Sequence, residues 1–76
     1  MPRITEIHWK KLVKVFELDD WKFHHQTGSH LHFVKPGYKR PVTIPTYKSI
    51  PIFIIKNNMA TAKMNRKRYF ELLKKV

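Results

Sequence analysis

The chain has 76 residues, enough for one domain with one small core. It carries 16 Lys and Arg against five Asp and Glu, a formal net charge of +11, and it has no Cys. These features exclude disulfides and thiolate metal sites, and no apolar run is long enough for a signal peptide or a membrane span. We therefore expect a cytoplasmic protein that forms a single domain over residues 1–76. Its charge is expected to attract RNA, DNA or an acidic protein rather than a membrane, and a solvated basic surface without a specific partner is the alternative.

The first predicted element is an amphipathic helix over residues 6–18. Its apolar residues recur at intervals of three and four, with three lysines on the opposite side. Thr5 is the predicted N-cap, and Asp19 and Asp20 are expected just beyond the C-terminal end. The predicted buried set is Trp9, Leu12, Val13 and Phe16.

Three short strands are predicted next. Residues 21–26 and 30–35 alternate between polar and apolar, and residues 27–29 contain a Gly, which is typical of a β-hairpin. Residues 40–45 form a third strand in which Val42 and Ile44 face one way and Thr43 the other. The prolines at both ends of this run limit it to a short strand.

The helical pattern returns after Ser49 and Pro51, which suit a cap and a first-turn position. Asn65 is predicted to cap a last helix. The predicted stripes are Ile55, Met59 and Ala62, then Tyr69, Leu72, Leu73 and Val76. The order predicts an α+β fold, α-β-β-β-α plus a C-terminal helix, with a three-stranded antiparallel sheet that has helices on one face only.

Strand alternation predicts which face each hairpin side chain occupies. Trp21, Phe23, Leu31 and Phe33 form the expected core set. His24, His30 and His32 should then line the open face, while His25 shares the core side. A bulge at the turn would shift these placements by one residue.

The histidines allow three interpretations. Two imidazoles in "HLH" have a metal-ligand spacing, but no carboxylate lies in the hairpin, so we expect neither a metal nor another cofactor. The second interpretation is that they are ordinary polar strand residues, which we favour over metal binding. The third interpretation is acid–base cleavage of RNA, which needs an imidazole that titrates near neutral pH beside a phosphate-binding surface.

The motif Gly28-Ser29-His30 follows a strand with an aromatic start and precedes Phe33, and "RPVTIP" and "IPIFIIKNNM" come after it. In this order, over residues 6–73, the sequence resembles the HicA toxin family. The resemblance implies a fold similar to the double-stranded-RNA-binding domain and a metal-independent mRNA interferase, neutralised by a HicB-like acidic antitoxin. It also implies that His30 is the catalytic residue, that Gly28 allows the turn, and that Ser29 holds that turn or contacts phosphate.

The sequence departs from the family at two positions. His25 precedes Gln26 where many members have Arg, and Thr46-Tyr47 replaces a second histidine of many members. His24 or His32 is therefore the hypothesised second proton-transfer group. The other predicted supporting or RNA-binding residues are Gln26, Lys22, Lys35, Lys39 and Arg40, with Tyr38 and Tyr47 as possible stacking platforms.

Three functions compete at this point. The first is a toxin endoribonuclease of a toxin–antitoxin system, with RNA as substrate and no small-molecule cofactor. The second is a non-catalytic RNA-binding module that uses the same basic surface. The third is an adaptor whose charge serves only to hold an acidic protein. RNA affinity that falls steeply with salt fits both of the first two functions, so only a cleavage assay separates them.

Overall fold

The computed structural model describes residues 3–76, and this part of the chain contains three helices and one three-stranded sheet. The strands lie in the order β1-β2-β3, each antiparallel to the next. The elements in chain order are α1 (Trp9–Leu18), β1 (Lys22–Thr27), β2 (His30–Val34), β3 (Val42–Pro45), α2 (Ile52–Thr61) and α3 (Arg66–Leu73). The predicted α+β order, with its additional C-terminal helix, is confirmed.

The hydrophobic core lies between one face of the sheet and the helices. Phe33, Val42 and Ile44 contribute the sheet side of this core and are almost completely buried. The helices contribute residues spaced three or four apart, as an amphipathic helix requires. These are Leu12, Val15, Phe16, Ile55, Met59, Tyr69 and Leu72. The opposite face of the sheet carries mostly polar side chains, together with Val34 and Pro45, and this is where a site can form.

Strand β1 projects beyond the helices. All six of its residues are exposed, and Phe23 is 55% exposed although its ring meets the ring of Phe33 edge-on at 5.8 Å. The prediction that Phe23 belongs to the core is therefore wrong, because an edge strand outside the helical layer has nothing to cover it. Trp21, which immediately precedes β1, is buried as predicted.

Helix α1 begins three residues later than predicted, and Thr5 is not its cap. Ile7 pairs with Ile50 in an isolated bridge, in which the Ile50 amide donates to the Ile7 carbonyl at 2.8 Å. This long-range hydrogen bond keeps the segment extended up to His8. The His8 side chain then caps the helix by accepting a hydrogen bond from the Lys10 amide at 3.1 Å.

The predicted N-cap is wrong for α2 and correct for α3. Pro51 occupies the N-cap position of α2, and the Ser49 hydroxyl donates to the Glu6 carboxylate instead of capping. Asn65 caps α3 as predicted, since its side-chain oxygen accepts from the Arg68 amide at 2.8 Å. Within residues 3–76, none of the helices has the length and hydropathy needed to cross a bilayer.

Candidate active site

A two-residue turn, Gly28-Ser29, joins β1 to β2 and places His30 at the start of β2. Thr27, predicted within the turn, is instead the last residue of β1 and pairs with His30. Gly28 has a φ of 58°. A positive φ at the first position of a two-residue hairpin turn is what a type II′ turn requires, and Gly adopts it without strain. The position of Gly in the sequence therefore determines where His30 enters the sheet.

Two hydrogen bonds hold this turn. The Gln26 side-chain amide donates to the Gly28 carbonyl at 2.8 Å. The Thr46 backbone amide donates to the Ser29 carbonyl at 2.8 Å, which ties the turn to the chain that follows β3. Because the turn is fixed from both sides, the backbone that carries His30 is well supported although its side chain is exposed.

A bulge in β1 changes which histidines share a face. Phe23 pairs with Phe33 and His25 pairs with the adjacent His32, so His24 is the extra residue between the two pairs. One extra residue reverses the alternation beyond it. His25 therefore lies with His32 on the open face, and the predicted placement of His25 on the core side is wrong. The bulge lies within the strand rather than at the turn.

Three of the imidazoles form a contiguous cluster. The rings of His25 and His32 stack with their centroids 4.4 Å apart and their planes 13° from parallel. The Nδ1 atoms of His24 and His25 are 2.7 Å apart, so one nitrogen must carry the shared proton while the other accepts it. His32 Nδ1 lies 3.1 Å from Oγ1 of Thr43 on β3. The cluster thus links all three strands.

The pKa of His32 is lowered from its ordinary value, first by the partial burial of its ring and then by the charges of His25, His30 and His24. The ring is half-buried between the neighbouring strands, and a second charge among the imidazoles is unfavourable. At neutral pH His32 is therefore mainly uncharged and able to accept a proton.

His30 lies on the same open face as His32, as strand alternation predicts. Two residues along a strand separate Cα atoms by about 6.6 Å. The two imidazoles can therefore approach a small group from different positions. The side chain of His30 is exposed, whereas that of His32 is half-buried. Of the two, His30 is the one that a bound molecule reaches first.

The cations predicted to flank the histidines are not gathered around them. Lys22 occupies an open-face position of β1. Lys35 Nζ instead lies 3.8 Å from Asp19 Oδ2. Lys39 and Arg40 belong to the loop between β2 and β3, at the end of the sheet away from the hairpin turn. Because β2 and β3 are antiparallel neighbours, their connecting loop must lie a full strand length from His30.

The two tyrosines considered as stacking platforms also differ from each other. The Tyr38 ring packs against the Trp21 ring at 5.0 Å, and the Lys35 ammonium lies over it at 5.3 Å. Tyr47 is 44% exposed. Of the two, Tyr47 therefore offers more open surface to a base.

Sequence reasoning missed two members of the cluster. His25 was assigned to the wrong face because the bulge is not visible in the sequence. Thr43 was assigned to the correct face, but its partner depends on the register between β2 and β3, in which His32 pairs with Thr43. The feature of the sequence that points to Thr43 is its polar side chain between the apolar Val42 and Ile44.

Within the described residues, no group of three or more His, Asp or Glu side chains is placed so that it could hold a metal ion. The histidine cluster is held together by a ring stack and by single nitrogen contacts. Its geometry suits proton transfer between neighbouring imidazoles and a bound molecule.

Comparison with known protein families shows which family the chain is similar to. The model of the HicA toxin of bacterial toxin–antitoxin systems matches residues 9–64, which span α1, the whole sheet, α2 and the start of the connection to α3. A search of curated proteins found no significant match.

Proposed function

This chain belongs to the HicA toxin family, and on that premise we propose that it is a cytoplasmic endoribonuclease that cleaves mRNA without a metal ion. Membership of the family implies an antitoxin partner. In the proposal that partner is a HicB-like acidic protein, whose charge complements the net charge of +11. His30 is the central catalytic residue. The observation that supports this most directly is the exposed imidazole of His30, fixed at an anchored turn two residues from His32 on the same face of the sheet.

The proposed reaction needs only proton transfers. A base removes the proton from a ribose 2′-hydroxyl, and the resulting oxygen attacks the adjacent phosphorus. The bond from phosphorus to the 5′-oxygen breaks, and an acid protonates that oxygen. The products are a 2′,3′-cyclic phosphate and a 5′-hydroxyl, so no co-reactant is required. A cation that offsets the charge on the phosphoryl oxygens lowers the barrier further.

The two imidazoles of β2 suit these two roles. The base must be uncharged before it reacts, and the pKa of His32 is lowered in the folded protein. Thr43 Oγ1 lies against its Nδ1, which leaves Nε2 to take the proton. His30 then protonates the leaving oxygen. Lys22 on the neighbouring strand, which pairs with Val34, is the proposed phosphate contact on the open face.

His24 is the weaker candidate for the second group. It occupies the bulge, and its Nδ1 contacts His25 rather than the ring of His32. Its effect on His32 is the last of the charge contributions, behind those of His25 and His30. We therefore assign the second proton transfer to His32.

The first test is His30→Ala. Loss of a general acid or base lowers a rate by about 100-fold to 10,000-fold, so cleavage of RNA should fall at least that far while RNA binding is retained. His8→Asn is the matched control, because it removes a histidine outside the sheet and keeps a side chain that can cap α1. Cleavage at the wild-type rate by the His30→Ala protein would overturn the assignment.

The pH–rate profile tests the assignment of the base. In the wild-type protein the rate should rise from acidic pH as His32 loses its proton, and His32→Gln should flatten that limb and lower the maximum rate. His24→Gln should leave the maximum rate unchanged and move that limb only slightly, because His24 makes the smallest charge contribution to the lowered pKa of His32. The reverse pattern would make His24 the second group, and unchanged rates for both variants would remove them from the mechanism.

The alternative function, RNA binding without chemistry, predicts a different outcome in the same experiment. The wild-type protein would bind RNA with an affinity that falls with salt and would leave it uncut. Expression in cells separates the two as well. The enzyme should inhibit growth unless an acidic antitoxin is co-expressed, whereas the His30→Ala protein should not.

A further inference from the structure

A second basic surface lies away from the histidine cluster. It is a groove of about 780 Å³ between the β2–β3 loop and the C-terminal half of α2. The loop contributes Lys39 and Arg40, and Lys63 follows the end of the helix. We propose that this surface, here called the distal groove, binds the sugar–phosphate backbone of an RNA strand beyond the cleavage site. The inference rests on the proposed function for its substrate.

The charges in the distal groove are unbalanced. All three cations are exposed, and no Asp or Glu is among the residues that line it. Among residues 3–76, none of these three cations forms a salt bridge, whereas Lys35 and Arg68 both pair with Asp19. Like charges gathered in one concave surface repel each other and attract a polyanion. Asn57 and Thr61 add neutral hydrogen-bonding groups to the same wall.

Lys63 holds an unusual backbone conformation. It has a φ of 53° at the position that follows the end of α2. The Met64 amide donates to the Met59 carbonyl at 2.8 Å, and the Lys63 amide donates to the Ala60 carbonyl at 3.2 Å. This pattern of hydrogen bonds normally has Gly at the position with positive φ, since a Cβ is disfavoured there. The helix dipole favours a cation anywhere in the last turn, so the dipole does not explain why a Lys stands at this position.

The composition of the groove favours RNA over an acidic protein. Protein interfaces rely on apolar or aromatic anchors that become fully buried. The distal groove contributes only small apolar surfaces, Gly37 and Ala60, together with a Tyr38 ring already packed against Trp21. Contacts to nucleic-acid backbone instead use Lys and Arg with neutral hydrogen-bond donors, which are the side chains present.

The position of the groove determines how long the RNA must be. From His30 to Val34 the chain advances four residues along β2, or about 13 Å, and the groove begins three residues later. A strand that occupies both sites therefore extends well beyond the two nucleotides at the scissile linkage. Short RNA should reach the histidines without reaching the distal groove.

The test measures RNA binding in the cleavage-inactive His30→Ala background. The test variant carries Lys39→Ala, Arg40→Ala and Lys63→Gly. The control variant carries Lys10→Ala, Lys11→Ala and Lys14→Ala, which removes the same charge from the exposed side of α1. Each is titrated with oligonucleotides of about 4 and about 12 nucleotides, which bracket the lower range of single-strand site sizes. The titrations are repeated over a range of salt concentrations.

The test variant should bind the longer RNA more weakly, and the slope of log K against log salt should be shallower by about 2, because each single-strand phosphate contact contributes about 0.7. Its affinity for the shorter RNA should match that of the control. Lys63→Gly alone should raise the thermal midpoint while lowering affinity for the longer RNA, a combination that a purely structural role does not produce.

Three results would overturn the inference. Equal weakening by the control would show that only net charge matters. Equal weakening for both RNA lengths would place the contacts near the cleavage site. Loss of binding to an acidic antitoxin, with RNA binding intact, would make the groove a protein-docking surface. Absence of RNA cleavage by the wild-type protein would contradict the proposed function. It would not affect the comparison of RNA affinities between the test and control variants.

Discussion

The carboxylate of Asp19 joins four parts of the chain. It lies at the C-cap of α1, and its Oδ2 accepts a hydrogen bond from Trp21 Nε1 at 3.3 Å. Arg68 on α3 donates to Oδ1 through Nε and Nη2, both at 3.3 Å, and Lys35 Nζ lies 3.8 Å from Oδ2. The side chain is only 13% exposed. We therefore expect Asp19→Ala to be among the more destabilising single substitutions at a charged residue.

The magnitude follows from the partners that would be lost. An unpartnered buried donor, here Trp21 Nε1, costs about 1–3 kcal/mol. Ion pairs with partly exposed partners contribute about 0–1 kcal/mol each. Together these ranges give a loss of about 1–5 kcal/mol for Asp19→Ala, and the middle value of about 3 kcal/mol is a large share of the roughly 4–11 kcal/mol expected for a chain of this length. A loss of about 3 kcal/mol should lower the thermal midpoint by roughly 12–24 °C.

Two further variants separate the contribution of the indole hydrogen bond to stability from that of the ion pairs. Asp19→Asn keeps an acceptor for Trp21 and loses only the ion pairs, so it should cost about 0.5–1.5 kcal/mol, less at high salt. Asp20→Asn is the control, because Asp20 is exposed and its φ of 68° suits Asn equally well. Thermal and urea denaturation measure all three. If Asp19→Asn were as damaging as Asp19→Ala, the indole hydrogen bond would not be the main contribution.

Three other predictions concern the cluster and the core. Deleting His24 should remove the bulge while preserving the pairing of Phe23 with Phe33 and of His25 with His32. The thermal midpoint should therefore change by only a few degrees. A large fall would show that the register depends on the extra residue. Because the pKa of His32 is lowered on folding, the unfolded chain binds more protons than the folded chain in the ordinary His range. The free energy of unfolding should therefore decrease as the pH falls from neutral through that range. His32→Gln should reduce this dependence in urea titrations. Tyr69→Phe should be neutral or stabilising by up to about 1 kcal/mol by calorimetry, because the buried Tyr69 hydroxyl has no hydrogen-bond partner among the described residues and burial raises its pKa to about 12. A marked loss of stability would contradict this reading of the hydroxyl.

Local patterns in the sequence determined the element order and the entry of His30 into the sheet. Asn65 at a helix start and Gly28 at a hairpin turn act through their own backbone geometry, which few other residues provide. The apolar repeats predicted most of each helix face for the same reason, because a period of three to four residues buries one side of a helix wherever it packs. In α1, however, the fully buried Val15 lies outside the predicted set, and Trp9 and Val13 are only partly buried. These features need no knowledge of distant neighbours.

Tertiary structure decided the features that depend on pairing between distant segments. The bridge from Ile7 to Ile50 delayed the start of α1, and the register of β1 against β2 put an extra residue at His24. A single residue of bulge moves every later side chain of a strand to the other face, so no count along the sequence could assign His25.

The separation of the histidines from the distal groove has the same origin. Lys39 and Arg40 come nine and ten residues after His30 in the sequence, but antiparallel pairing carries their loop to the opposite end of β2. Lys63 meets them there only because α2 packs against β3. Sequence alone therefore fixed which basic and titratable residue types this protein has. Only the three-dimensional pairing of its strands and helices fixed where each of them lies.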